Sequence, residues 1–288
     1  MKSNEEELQS LPHDTRLAGR TAIVTGSSSG IGEAAVRALL AQGYRVHAGA
    51  RRVGKMECLR EAGAVVHALD VTDETSIGAV VTSIMENEGR LDVLVNNAGF
   101  GVYGSIEEVS IEEARRQFEV NLFGIARLTQ LILPIMREQE SGTIINISSM
   151  GGRVYTPLGA WYHASKHALE GWSDCLRLEL APFGVRVVII EPGAIETEFG
   201  ELAVVPLLER SRDGPYAAMA QTMAAATRRT FSGGKASPPS LIAGLIVKVI
   251  RSRRPKTRYV AGHLARPVML ARQLLGDRCF DLMIRRFL

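Results

Sequence analysis

Two titratable side chains four residues apart, Tyr162 and Lys166 in Tyr162-His163-Ala164-Ser165-Lys166, carry the clearest chemistry in the sequence. On a helix that spacing puts both on one face. A phenol titrates near ~10 and is mostly the wrong species for taking a proton at neutral pH; a neighbouring ammonium stabilises the phenolate and lowers that pKa. Such a pair can trade a proton with an alcohol or carbonyl oxygen. Taken alone, it reads better as a surface Tyr/Lys pair.

A second constellation is Thr25-Gly26-Ser27-Ser28-Ser29-Gly30-Ile31-Gly32, which follows the apolar run Thr21 to Thr25 and opens a helical pattern. Unpaired N–H groups and the helix dipole at such a strand-turn-helix attract a pyrophosphate. In the three-glycine fingerprint Gly26 permits the tight turn, Gly30 lets backbone approach the phosphates, and Gly32 lets helix pack on strand. The same string matches the G-x-S-x-G elbow of serine hydrolases, with Ser28 as nucleophile. That elbow normally follows several strands rather than the first, and it gives Gly32 no role.

Cofactor choice is read where the second strand ends, about twenty residues after the loop. An acidic residue there would bind the ribose 2′-hydroxyl of NAD. The chain has Ala50-Arg51-Arg52 instead. Arginine forms charge-assisted bonds to the 2′-phosphate of NADP, and Ala50 offers no repelling carboxylate, so the expected cofactor is NADP(H). His163 and His167, four apart on a helix, have metal-ligand spacing. No H-E-x-x-H glutamate and no nearby acidic third ligand accompany them, so no metal is expected and both are read as surface or cleft histidines.

These residues need a scaffold, and the apolar patterning supplies one. Strand-like runs at Thr21 to Thr25, Arg45 to Ala50, Ala64 to Leu69, Leu91 to Val95, Thr143 to Ile147 and Val185 to Ile190 alternate with helical stretches. The helices run to Leu40 and over Val53 to Ala62, Asp73 to Glu88, Ile111 to Glu140 and Trp161 to Ala181. Such alternation predicts an α/β fold, a single-domain Rossmann-type doubly wound parallel sheet. The expected organisation is a polar tail over residues 1–18 and one catalytic domain over 19–288. From Ala194 to Ser237 glycines and prolines break the alternation, which predicts a mixed helical and irregular substrate lid over about 194–237. A helix over Leu241 to Arg251, a strand near Arg258 to Val260 and a C-terminal amphipathic helix over Leu264 to Leu288 follow.

Bulk properties agree with an ordinary soluble enzyme. Formal net charge is +3 and basic residues are dispersed, so no nucleic-acid partner is expected. Cys58, Cys175 and Cys279 lie far apart, as suits a cytoplasmic protein. The opening MKSNEEELQS lacks a signal-peptide core, and no stretch approaches roughly 18 apolar residues.

The motifs together resemble the short-chain dehydrogenase/reductase family: Thr25 to Gly32, Asn96-Asn97-Ala98-Gly99, Ser149, Tyr162 with Lys166, and Pro192-Gly193, in the family's order from about Arg20 to Thr197. The resemblance implies that Ser149, rather than Ser148, hydrogen-bonds the substrate oxygen and that Lys166 also holds the nicotinamide ribose. It implies that Asn121 disrupts a helix and holds a water in a proton relay to Lys166. Asp70-Val71 is implied as the adenine contact, Asn97 to Gly99 as a support beside the cofactor, and Ile195 and Thr197 as contacts to the carboxamide.

Phe100 to Gly104 and Phe118 to Gly124 are similar to members acting on steroids, retinoids and other lipophilic alcohols, so the expected partner is a small lipophilic alcohol or ketone. In relatives the helices around Asn121 and Tyr162 build homodimers or homotetramers. The five arginines among the apolar residues of 264–288 would also suit a membrane surface, although docking on its own domain is the preferred reading. A non-catalytic NADP-binding regulator is the reading from another class; the full Ser149, Tyr162 and Lys166 set argues against it.

Overall fold

Thr21–Thr25 forms β1, buried along its whole length. Such a strand needs cover on both faces, and a parallel sheet between helices provides it. In the computed structural model, which describes residues 18–231 and 234–287, β1 lies in a seven-stranded parallel sheet. The other strands are β2 (Arg45–Ala50), β3 (Val65–Ala68), β4 (Val93–Asn96), β5 (Gly142–Ile147), β6 (Val185–Pro192) and β7 (Arg258–Ala261), in the order β3-β2-β1-β4-β5-β6-β7. The tail expected over 1–18 lies outside the described residues except for Ala18.

Alternate residues feed the two cores. Ala22, Val24, Val95 and Ile145 pack with helices α1 (Gly30–Ala41) and α9 (Pro239–Arg251), through Val36, Leu39, Ile242 and Ile246. Ile23, Leu94 and Ile144 face α3 (Glu74–Glu88), α5 (Gly124–Glu138) and α6 (Ala160–Leu180). The short α2 (Glu57–Glu61) follows a 3₁₀ turn at Val53–Met56, and α4 (Ile111–Phe118) starts in a Ser110/Glu113 capping box. Strand order reverses at β1, between β2 and β4, which opens the crevice where such sheets bind ligands.

Four sequence expectations change. The helix expected over Ile111 to Glu140 is α4 and α5 joined by a π-turn at Glu119–Phe123, and it ends at Glu138. The region Ile111–Glu138 is long and apolar enough by length and composition to cross a membrane, contrary to the reading of no such stretch, but Ile125, Leu128, Ile132 and Met136 are core residues on the sheet. The C-terminal helix is two, α10 (Ala265–Leu274) and α11 (Asp277–Phe287), because Gly276 interrupts the run. Here the arm docks on its own domain: Phe280 is fully buried against the Tyr155 ring, and the Tyr155 hydroxyl donates to Asp281 at 2.9 Å. The lid is more regular than its glycines suggested, with α7 (Phe199–Arg210) and α8 (Ala217–Phe231) packed together.

Candidate active site

The glycine loop leaves β1 and turns into α1 by close backbone approach. Gly26 has φ +68°, and a Cβ there would lie 2.9 Å from Ala98 Cα. At Gly32 a Cβ would meet the Gly26 carbonyl oxygen at 2.2 Å, so the turn closes only on glycine. Asn97 fastens the other wall: its Nδ2 donates to the carbonyls of Thr25 at 2.9 Å and Gly26 at 3.1 Å, while the Asn97 and Ala98 N–H groups donate to Thr25 Oγ1. Ser29, the N-cap, makes no side-chain cap bond, which leaves the first-turn N–H groups of Gly30, Ile31 and Gly32 facing out of the helix end. That cradle suits a dinucleotide pyrophosphate.

The two arginines after β2 go different ways. Arg52 donates through Nε to Ser28 Oγ at 3.2 Å and through Nη2 to Ser29 Oγ at 3.1 Å, and its Nη1 lies 2.9 Å from Glu198 Oε2. Arg51 lies toward Asp70. Burial works against ionisation of Asp70, but hydrogen bonds from Thr72 and the charges of Arg51 and Arg116 outweigh it and hold the carboxyl below its usual range. Val71 is anchored too, since its carbonyl sits where a Cβ on Gly124 would be, at 2.3 Å. Ser28 therefore has a cation as its hydrogen-bond neighbour rather than the base a hydrolase nucleophile needs.

Ser149 and Tyr162 face each other across the ends of β5 and α6. A hydrogen bond from Ser149 favours the Tyr162 phenolate, but burial dominates and pushes the phenol up to about 12. Ser148 Oγ is buried and has no partner among the described residues. Burial also lowers Lys166 to about 8, opposed by the Glu170 carboxylate one turn on, and Lys166 Nζ donates to the Ile147 carbonyl at 3.0 Å. Helical spacing alone predicts that the Lys166 ammonium lowers the Tyr162 pKa. In the structure burial wins with the opposite sign, and Ser149 is the group that opposes it.

Asn121 sits inside the π-turn, fully buried, a geometry that recurs at functional sites. Its Oδ1 accepts from Phe100 N–H at 3.0 Å, and its Nδ2 donates to the Phe100 carbonyl at 2.9 Å and Ser165 Oγ at 3.1 Å. A Cβ on Gly99 would lie 3.2 Å from Asn121 Oδ1 and 3.7 Å from Lys166 Nζ, which places both groups against the Gly99 backbone. Pro192 ends β6. Gly193 allows the His263 carbonyl to within 2.2 Å of its missing Cβ, and Ile195 pairs with Ser237 behind it. Thr197 covers Gly30, whose Cβ would lie 2.7 Å from Thr197 Cγ2; its hydroxyl is 3.4 Å from Phe199 N–H at the head of α7.

Several site residues escaped the sequence reading. Tyr103 and Phe199 flank the Tyr162 ring, with centroids 5.6 Å and 5.4 Å away. Tyr103 continues into an apolar wall with Leu158, Leu207, Ala220, Met223 and Tyr216. The wall draws Leu207, Tyr216 and Met223 from the segment expected as the lid, whereas Leu202, Val205 and Met219 of that segment face outward. His163 is not on the surface: its Nδ1 is 3.0 Å from the Gly151 carbonyl and its Nε2 accepts from Thr156 N–H at 3.1 Å, clamping the turn after Ser149. Both of its ring nitrogens are thus engaged, and among the described residues no group of three side chains is set to hold a metal.

A family model described as short chain dehydrogenase matches residues 20–203. A probable short-chain type dehydrogenase/reductase of Helicobacter pylori is 37% identical over 92% of this chain and 96% of its own length. A 3-ketodihydrosphingosine reductase of Bacteroides thetaiotaomicron is 31% identical over the same shares, 92% and 96%. Among solved structures, a short-chain dehydrogenase from Streptomyces avermitilis superposes with TM-score 0.77 at 34% identity, covering 93% of this chain and 97% of that one. Neighbours carry either nicotinamide cofactor. An alcohol dehydrogenase from Thermococcus sibiricus is complexed with 5-hydroxy-NADP (TM-score 0.69, 27% identity, coverage 85% and 97%). A Burkholderia phymatum member is complexed with NAD (TM-score 0.77, 25% identity, coverage 94% and 97%).

Proposed function

The chain belongs to the short-chain dehydrogenase/reductase family, and from that premise we propose an NADP(H)-dependent oxidoreductase that interconverts a lipophilic secondary alcohol and its ketone. The observation that carries the reading is the convergence of Ser149, Tyr162, Lys166 and Asn121 at one end of the sheet, beside the glycine cradle.

The cradle of Gly26, Gly30, Ile31 and Gly32 would hold the pyrophosphate, Asp70 and Val71 the adenine, and Ile195 and Thr197 the carboxamide. The bound nicotinamide supplies or accepts the hydride. Arg52, with Ser28 and Ser29, would bind the 2′-phosphate, and Ala50 presents no opposing carboxylate. Tyr162 holds its proton at neutral pH because burial disfavours the phenolate, which suits delivery to a ketone oxygen. Ser149 Oγ shares that oxygen as a hydrogen-bond donor. Lys166, lowered by burial to about 8, still carries its charge beside Tyr162 at neutral pH, and Asn121 fixes the Phe100 backbone beside it.

The wall of Tyr103, Leu158, Leu207 and Met223 favours an apolar substrate and excludes water from the proton transfer. The lipid-ketone chemistry named for the Bacteroides relative supports that class. Exposed Ile111 and Phe123 on α4 and the π-turn, with Leu178 on α6, suit burial in a homodimer or homotetramer. Three exposed free cysteines suit a reducing, cytoplasmic compartment. A screen of ketones and secondary alcohols against both cofactors, followed by nicotinamide absorbance, tests the proposal. Turnover preferring NADPH and rising with substrate apolarity is expected; tight NADPH binding without turnover of any carbonyl would point to a non-catalytic regulator.

A further inference from the structure

Three consecutive residues at the head of α7 close on the cofactor side of the cleft. Thr197 covers Gly30, and Phe199 packs on the Tyr162 ring at 5.4 Å. Between them the Glu198 carboxylate bridges two cations of the turn after β2: Oε2 lies 2.9 Å from Arg52 Nη1 and Oε1 lies 2.7 Å from Lys55 Nζ. The other Arg52 nitrogens hold the Ser28 and Ser29 hydroxyls of the glycine loop. Arg52 thus already grips an anion of its own chain, and that anion belongs to the lid.

A carboxylate and a phosphate monoester accept from a guanidinium in the same way, so they compete for Arg52. Glu198, Arg52 and Lys55 side chains are 42%, 44% and 50% exposed, so their ion pairs are screened and easily exchanged. A phosphate monoester carries about −1.5 to −2 charges against one for the carboxylate. Coulomb attraction therefore favours the phosphate.

We propose that Glu198 is an internal competitor for the 2′-phosphate site, so that binding of a 2′-phosphorylated adenosine frees the head of α7 from Arg52 and Lys55 and lifts Phe199 from Tyr162. The inference rests on Arg52 as the phosphate ligand. Cofactor selectivity then has two parts: the contacts that Arg52 makes and the release of a latch that an unphosphorylated nucleotide leaves shut. A substrate would enter after the phosphate has arrived.

Adenosine 2′,5′-bisphosphate and 5′-AMP, which lack the nicotinamide half, separate these parts in calorimetric titrations of the full-length wild type and Glu198→Gln. The expected result is bisphosphate binding tightened roughly threefold to tenfold in Glu198→Gln, from two exposed pairs of modest strength, with 5′-AMP affinity unchanged. Hydrogen exchange of the α7 amides should quicken in wild type with bisphosphate but not with 5′-AMP, and should be fast in Glu198→Gln without ligand. Bisphosphate affinity that is unchanged or weaker in the variant, while wild type still prefers bisphosphate, overturns the competitor role alone. Parallel loss of both nucleotides would make Glu198 a structural residue and overturn it too. Equal wild-type affinity for both nucleotides refutes the Arg52 assignment and the latch with it.

Discussion

Tyr162→Phe separates chemistry from packing at the centre of the site. The ring sits among Tyr103, His163 and Phe199, with centroids 5.4–5.7 Å away, and phenylalanine keeps all three contacts. Only the hydroxyl and its bond with Ser149 are lost, a cost of about 0.5–1.5 kcal/mol to stability. For a domain of this size that amounts to a melting shift of a few degrees. The rate should suffer far more. Removing a positioned proton donor costs about 10²–10⁴ in kcat, or roughly 2.7–5.4 kcal/mol at about 1.36 kcal/mol per decade. Steady-state kinetics on the best ketone from the screen, a melting curve and an NADPH titration decide between the two scales. A variant that melts within a few degrees of wild type, binds NADPH normally and retains more than a tenth of kcat would refute Tyr162 as the proton donor.

Arg52→Ala should lower kcat/KM with NADPH by roughly tenfold to a hundredfold, from loss of a charged hydrogen bond, while Arg51→Ala does less; equal effects of the two variants would return the phosphate to Arg51. Gly32→Ala forces a methyl to within 2.2 Å of a carbonyl oxygen and should abolish dinucleotide binding in a titration, whereas Gly78→Ala, in open space within α3, should stabilise by about 0.5–1 kcal/mol in denaturant unfolding. His47 and His67 stack on β2 and β3 with Nδ1 and Nε2 2.9 Å apart, and burial holds both below 6.5, His67 at about 4. Because the folded pKa values are depressed, this stability is complete above pH 6.5 and lost as pH falls toward about 4, on the order of 3 kcal/mol; His67→Gln should flatten urea-unfolding free energies over that window, and an unchanged acid slope would exclude the pair as its source.

What could be read from the sequence was local. β1 and β4 through β6 fall within a residue or two of their apolar runs because a strand covered on both faces must be largely apolar. The Gly26, Gly30 and Gly32 spacing was legible because each glycine answers a backbone constraint that no other residue meets. Helical spacing put Tyr162 and Lys166 on one face, and only their place among the family's motifs singled them out from a surface pair. The π-turn was harder: apolar spacing runs smoothly from Ile111 to Glu138, and only Asn121 hinted at a disruption. Gly124 was the second available signal, since the backbone of Val71 presses on it from a distant loop.

The remainder depends on contacts between residues far apart in the chain, which no spacing rule reports. Glu198 reads as one more polar residue before a helix until the fold carries it to Lys55, 143 positions away. His163 has metal-ligand spacing with His167, yet tertiary structure spends both of its ring nitrogens on Gly151 and Thr156. The sign of the Tyr162 shift turned on the same fact. A Tyr–Lys pair read along one helix supplies the charge of Lys166 but not the burial contributed by Tyr103 from the β4 side and Phe199 from the lid. Lifting Phe199 with the lid would lessen that burial and bring the phenol toward the pH at which it would accept a proton. Alcohol oxidation should therefore depend on lid position more steeply than ketone reduction, for which the buried phenol already carries its proton.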